Sequence, residues 1–350
     1  MNAKSMSADQ QHRPSRRARQ QGAALLMAMV IVTLVATITS SMVWQQWRAV
    51  QVEAAERART QATWVLYPGL DWARHWLRDD ARRHPNSDDL TENWAQPLPE
   101  TRLSSFLSAD KDNNASDDGG GIEGFIQGRA LDAHAKFNVR NLVDGDGTVR
   151  ADQVEIFRRL CTNLSVQSGV ADKLAQQMSL AVIADHAMTD PAAMAKIGGQ
   201  QGLAQAPVMP QQFDDLVWLE RMDAGTLERL RPYVILLPVG NTQINVNTAS
   251  EQVIAAAVPK MDLGTAGRIV TARQRKPFPD VSDAQAVVGQ GFDLAGAGLV
   301  VKSDYFEVIG GLRYEDFLIE QRHLVQRENN QVLVRSQSRF SGMDAANAPR

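Results

Sequence analysis

The stretch "RRARQQGAALLMAMVIVTLVATITSSMVW", Arg16 to Trp44, decides the architecture. From Ala23 to Trp47 there is no Asp, Glu, Lys, Arg or His, and the strongly apolar part reaches from Ala23 to Val43. As a helix that part measures about 31 Å at ~1.5 Å per residue, close to the hydrocarbon thickness of a bilayer. A secretory signal has a shorter apolar core closed by a small-residue cleavage site, whereas this run is longer and ends without a clean A-x-A. Lys4, Arg13, Arg16, Arg17 and Arg19 precede it against the single Asp9, while Arg48, Arg57 and Arg59 beyond it are interleaved with Glu53 and Glu56. The positive-inside rule therefore keeps residues 1–22 in the cytoplasm and exports the bulk of the chain.

About 300 residues follow the span, room for one large domain or two ordinary ones. Hydrophobic content of 44% and charged content of 22% describe a chain able to build a core, and a net charge of -3 argues against a nucleic-acid carrier. The single cysteine, Cys161, excludes an intrachain disulfide and reads as a small buried helix residue. His12, His75, His84, His134, His186 and His323 form no H-E-x-x-H pattern, and there is no G-x-S-x-G or P-loop. "ADHAMTDP" (Ala184 to Pro191) groups Asp185, His186 and Asp190 but reads as a helix ending. The chain is not expected to be an enzyme, and no catalytic residue is named.

Past the span, Trp44, Trp47, Val50, Ala54, Ala58, Ala62 and Val65 recur every three or four residues, an apolar helical stripe. Val50, Ala54, Ala58, Ala62 and Val65 are the candidate partner-binding face. Pro68-Gly69 is expected to kink or break this helix, and a second piece from Leu70 to Arg83 keeps the period through Ala73 and Leu77. A polar loop, Ser104 to Gly121, leads to strand-like text over Ile122 to Val139. Helical text dominates from Asp152 to about Leu299, and strands return in the last segment, with "RENNQ" (Arg327 to Gln331) as a hairpin turn. Strands bracketing a helical block predict one sheet interrupted by an insertion. Asp110, Asp112 and Asn114 fit the first positions of a calcium loop, yet Ala115 and Gly121 stand where glycine and a bidentate glutamate belong. "DGDGT" (Asp144 to Thr148) fails similarly, with Leu142 and Gln153 at ligand positions. Calcium held from separate loops would use Asp110, Asp112, Asp117 and Asp118.

A basic leader ending in Gly22 directly against an uninterrupted apolar helix resembles the type IV prepilin and pseudopilin signal. The resemblance implies that a prepilin peptidase cuts between Gly22 and Ala23 and methylates the new N-terminus. Most such proteins carry Glu at the fifth mature position, where this chain has Met27. "AKFNVRNLVDGDG" (Ala135 to Gly147), "INVNTAS" (Ile244 to Ser250) and "SDYFEVIGGLRY" (Ser303 to Tyr314), taken with that start, are similar to the protein K family of the general secretion pathway. These are the large minor pseudopilins of bacterial type II secretion, and in them the missing glutamate is expected.

The resemblance implies an α+β pseudopilin fold: a long N-terminal helix packed on an antiparallel sheet, with a large all-helical domain inserted between strands. The expected segments are a prepilin leader (1–22), a transmembrane helix (23–43), a pseudopilin α+β domain (44–141 and 302–340) and a flexible tail (341–350). The insertion (142–301) contains a helix-hairpin-helix or SAM-like module at about 244–289. It further implies a single-pass bacterial inner-membrane protein with its bulk in the periplasm, at the tip of a pseudopilus. Its partners would be the I, J and H classes of minor pseudopilin, the major pseudopilin and the prepilin peptidase. Met27 gives a neighbouring subunit's N-terminal amine no carboxylate to pair with inside the membrane, so this chain would start a filament more readily than extend it.

The rival reading is a membrane-anchored helix-hairpin-helix DNA-binding protein of a DNA-uptake system. Such a hairpin presents backbone N–H groups and cations to a phosphate. Here "PKMDLGTAG" (Pro259 to Gly267) holds Asp262 and lacks G-x-G, while Arg268, Arg273, Arg275 and Lys276 follow. No nucleic acid is expected as a partner.

Overall fold

Helix α1 (Arg16–Arg83) opens the computed structural model, which describes residues 16–103, 105, 124–167, 169–220, 222–314, 317–329 and 331–343. The chain divides into two compact units after Thr63. In the first, every side chain from Ala23 to Glu53 is exposed, and this stretch is long and apolar enough to cross a membrane. Its threonines do not spoil it for lipid. Thr33, Thr37 and Thr39 donate their hydroxyls back to the carbonyls of Val30, Leu34 and Val35 at 2.8–2.9 Å, so these three donors are paired within the helix. Trp44 and Trp47, with ring centroids 5.4 Å apart, sit toward its C-terminal end, where amphipathic rings would suit a headgroup layer.

The second unit begins with the closing turns of α1. Leu66, Leu70 and Leu77 are buried at helical spacing, each contributing roughly 1.5–3 kcal/mol by leaving water. Of the kink or break expected at Pro68-Gly69, the break does not occur: the helix continues to Arg83. Interior proline costs about 3 kcal/mol locally, but Leu66 and Leu70 on either side are both held under the sheet.

That sheet has the order β1-β2-β7-β8-β9 and is antiparallel throughout. Its strands are β1 (Leu98–Arg102), β2 (Gly124–Asp132), β7 (Tyr305–Tyr314), β8 (Phe317–Glu328) and β9 (Gln331–Met343). Ala130 pairs with Val308, and Val308 with His323. Alternation buries Ile319, Gln321, His323, Val325 and Arg327 of β8 on one face. The face is apolar in β7 but carries three polar residues in β8. Gly310 lets the helix approach the sheet, since a Cβ there would lie 3.3 Å from Leu66 Cδ2, while a Cβ on Gly311 would lie 3.0 Å from Cγ of its cross-strand partner Gln127.

Between the neighbouring strands β2 and β7 the chain leaves the sheet and returns. The excursion contains β3 (Phe137–Asn138), α2 (Ala151–Asn163), α3 (Gly169–Ala187), α4 (Pro191–Lys196) and α5 (Gly199–Gln205). After them come α6 (Leu216–Glu220), α7 (Ala224–Leu230), β4 (Val234–Ile235) and β5 (Ile244–Asn245). It closes with α8 (Glu251–Ala257), α9 (Leu263–Arg275), α10 (Val281–Val288) and β6 (Leu299–Val300). Besides helices it holds two short parallel pairs, β3–β4 and β5–β6. Its core packs Phe137 on Phe157, ring centroids 5.2 Å apart, with Leu160, Leu174 and Met178. Phe137 and Val139 belong to this core, so the block begins before residue 142: the chain turns out of the sheet at Ala133–Ala135, directly after β2.

Candidate functional site

Gly22, Ala23 and Met27 all lie within α1; Ala23 and Met27 are exposed. Val50 is exposed too, while the side chains of Ala54, Ala58, Ala62 and Val65 fall outside the described residues. Asp110, Asp112, Asp117 and Asp118 also fall outside them.

What the fold brings together is a buried polar junction where α1, the sheet and the helical block meet. Arg327, at the end of β8, directs Nη1 to Asp80 Oδ2 at 3.0 Å and Nη2 to both Asp88 oxygens at 2.5 and 2.6 Å. Its Nη2 also reaches the Ser303 carbonyl at 2.8 Å, and its guanidinium lies 5.0 Å over the Phe306 ring. Asp88 is fully buried, accepts from Ser303 N, and through its own N–H joins the Val301 carbonyl. Burial raises its carboxyl to about 6 despite the arginine.

A second centre is Asp132, which ends β2. Its Oδ2 accepts from Asn245 Nδ2, Ser303 Oγ and Thr248 Oγ1, and its Oδ1 from His134 N. Asn245 also donates to the Asp88 carbonyl, linking the two centres. Each such group, buried without its partner, would cost about 1–3 kcal/mol. Similar amides fasten the block internally. Asn138 donates to the Val239 carbonyl and accepts from the Leu237 and Arg140 N–H groups, while Asn247 exchanges two bonds with the Phe278 backbone. Asn138 and Asn141 of "AKFNVRN", Asn245 and Asn247 of "INVNTAS" and Ser303 of "SDYF" are thus buried fasteners. From sequence alone Asp80, Asp88, Asp132 and Arg327 carried no signal of this role, whereas Asn245, Thr248 and Ser303 lay inside quoted motifs.

The hairpin offers little to a phosphate. Asp262 caps α9, its Oδ1 accepting from Thr265 N at 2.7 Å, which places a carboxylate where an anion would dock. Arg273 is buried and donates to the carbonyls of Val246 and Thr248, so it braces the "INVNTAS" turn; burial lowers it to about 10. Arg268, Arg275 and Lys276 alone of the four cations are exposed. Asp190 caps α4 by accepting from Ala192 N, as its place in a helix ending implies. Cys161 is buried in the block, and burial pushes its thiol up to about 12, far from a thiolate nucleophile.

Comparison with known proteins follows the same division of the chain. Two family models, both described as "Type II secretion system (T2SS), protein K", match residues 135–239 and 244–302. Type II secretion system protein K of Pseudomonas aeruginosa is 28% identical over 85% of this chain and 86% of its own. That of Pectobacterium carotovorum is 27% identical over 95% and 99%, and that of Klebsiella pneumoniae 29% over 89% and 93%. Among solved structures, a chain of the GspK-GspI-GspJ complex from the type 2 secretion system of enterotoxigenic Escherichia coli aligns with a TM-score of 0.56. At 18% identity over 82% of this chain and 98% of that one, this likeness speaks for the fold. Matched by two protein K models over residues 135–239 and 244–302, and aligned with relatives over 86–99% of their own lengths, the chain is similar along most of its length to type II secretion system protein K.

Proposed function

We propose that this chain caps the tip of a periplasmic pseudopilus and helps to start its assembly, acting as a structural subunit and not as an enzyme. The observation that carries the reading is the position of the inserted block. It leaves the sheet between β2 and β7 and is fastened through Asp88, Ser303 and Arg327 beside the C-terminal end of α1. A subunit stacked beyond that end would meet the block, whereas a terminal subunit meets nothing. Met27 agrees, since an uncharged residue there leaves the next amine unpaired in the membrane. The bulk of the chain would lie in the periplasm, anchored in the bacterial inner membrane by Ala23–Glu53.

The Escherichia coli relative was solved in complex with GspI and GspJ. The corresponding minor pseudopilins, with the H class and the major pseudopilin, are the partners proposed here, and a prepilin peptidase is the processing enzyme. Calcium held by Asp110, Asp112, Asp117 and Asp118 belongs to the same reading. Replacing Asp117 and Asp118 by Asn should abolish calcium-dependent thermal stabilisation.

Immunogold labelling of pseudopili assembled with this chain tests the capping role. Gold at one end of each filament is expected. Labels spaced along the shaft would overturn it.

A further inference from the structure

Asp80 and His84 stand one turn apart at the end of α1, and Glu92 reaches them from the following loop. Asp80 Oδ1 lies 2.9 Å from His84 Nδ1, Glu92 Oε1 lies 3.6 Å from the same nitrogen, and the three ligand atoms all fall within 4.8 Å of one another. We propose that Asp80, His84 and Glu92 bind one divalent transition-metal ion of the zinc type, clamping the end of α1 to the Asp88–Glu92 loop. Ligands at ~2.0–2.2 Å from a tetrahedral ion are spaced about 3.3 Å apart, and the two measured edges straddle that value.

The donor set favours such an ion. One imidazole with two carboxylates suits zinc-type ions, whereas calcium takes six or more oxygens. Each carboxylate is already aimed. Arg327 holds the far oxygen of Asp80 at 3.0 Å, and the Trp94 indole N–H holds the far oxygen of Glu92 at 2.5 Å, the second-layer bonds that orient metal ligands. His84 is about half exposed, which leaves one side open to a water and gives the ion a way in.

Charge supplies an independent argument. Asp80, Asp88 and Glu92 are buried together, and the one buried guanidinium facing them, Arg327, is shared between Asp80 and Asp88. Asp132 nearby is satisfied by its own donors. Among the described residues Glu92 has no buried guanidinium or ammonium of its own, and a divalent ion supplies that positive charge.

The test uses the full chain in detergent, stripped with a chelator and titrated with zinc chloride against a chromogenic competitor. One saturable equivalent is expected, with a higher melting temperature. His84→Ala and Glu92→Gln should each weaken binding by about tenfold or more, with unchanged far-UV circular dichroism, and calcium should not compete. His84 is exposed, so His84→Ala decides the matter even where Glu92→Gln fails to fold. Absence of saturable zinc binding by the folded chain, affinity unchanged in His84→Ala, or displacement by calcium would each overturn the site.

Discussion

Replacing Arg327 by Met removes the guanidinium that Asp80 and Asp88 face and strands both carboxylates in the interior. A loss of about 3–5 kcal/mol is expected in urea unfolding, the usual cost of breaking a buried pair from one side. A change near that of an exposed arginine would show that water reaches the junction. Asn247→Ala should lose about 2–4 kcal/mol, because it leaves the buried N–H and carbonyl of Phe278 without partners. His323 supplies a pH dependence. Burial holds its imidazole below the usual 6.5, so as pH falls through that value the unfolded chain takes up a proton that the folded chain refuses. Its contribution to stability is therefore present above 6.5 and lost on acidification. Between about pH 7 and about pH 5 the urea midpoint of His323→Leu should fall less than that of the unaltered chain; equal falls would contradict the assignment.

At the scale of elements, the hairpin between α8 and α9 separates a structural module from a DNA-binding one. Changing Arg268, Arg275 and Lys276 to Ala should leave thermal unfolding nearly unchanged, since all three are exposed. Arg273→Ala should destabilise, since its two carbonyl partners in the "INVNTAS" turn lose their donor. Fluorescence anisotropy with duplex DNA should show no salt-dependent affinity in any of these proteins. Submicromolar binding lost in the triple variant would favour the uptake-receptor reading. Helix α1 teaches a related lesson. Pro68 predicts a kink or break locally, yet the helix runs on unbroken to Arg83, because a proline's cost of a few kcal/mol is offset where leucines on both sides pack under a sheet.

For the whole molecule, the outcome to measure first is the mature N-terminus. Mass spectrometry of the chain from cells with a prepilin peptidase should show cleavage between Gly22 and Ala23, and Gly22→Trp should leave the precursor uncut. A start at Met1, or one beyond residue 35, would remove the prepilin reading. Ala58→Glu with Ala62→Glu should abolish co-purification with other minor pseudopilins while circular dichroism stays unchanged, if the stripe through Val50 to Val65 is the surface by which filament helices pack.

Much of this architecture is legible in the sequence. The long apolar helix, the strands on either side of a helical block and the hairpin at "RENNQ" all follow from hydrophobic period and turn chemistry, which are properties of neighbours along the chain. The short motifs pointed to the family without revealing what their amides do. Only the tertiary structure decided that Asn138, Asn245 and Asn247 are buried fasteners, that Arg273 turns inward while Arg275 does not, and that α1 survives Pro68. It alone joined Asp80, Asp88 and Arg327, partners separated by 247 and 239 positions. The reason is physical. Whether a polar side chain is desolvated, and which charge it then needs, depends on what the fold places against it, and no local pattern carries that information.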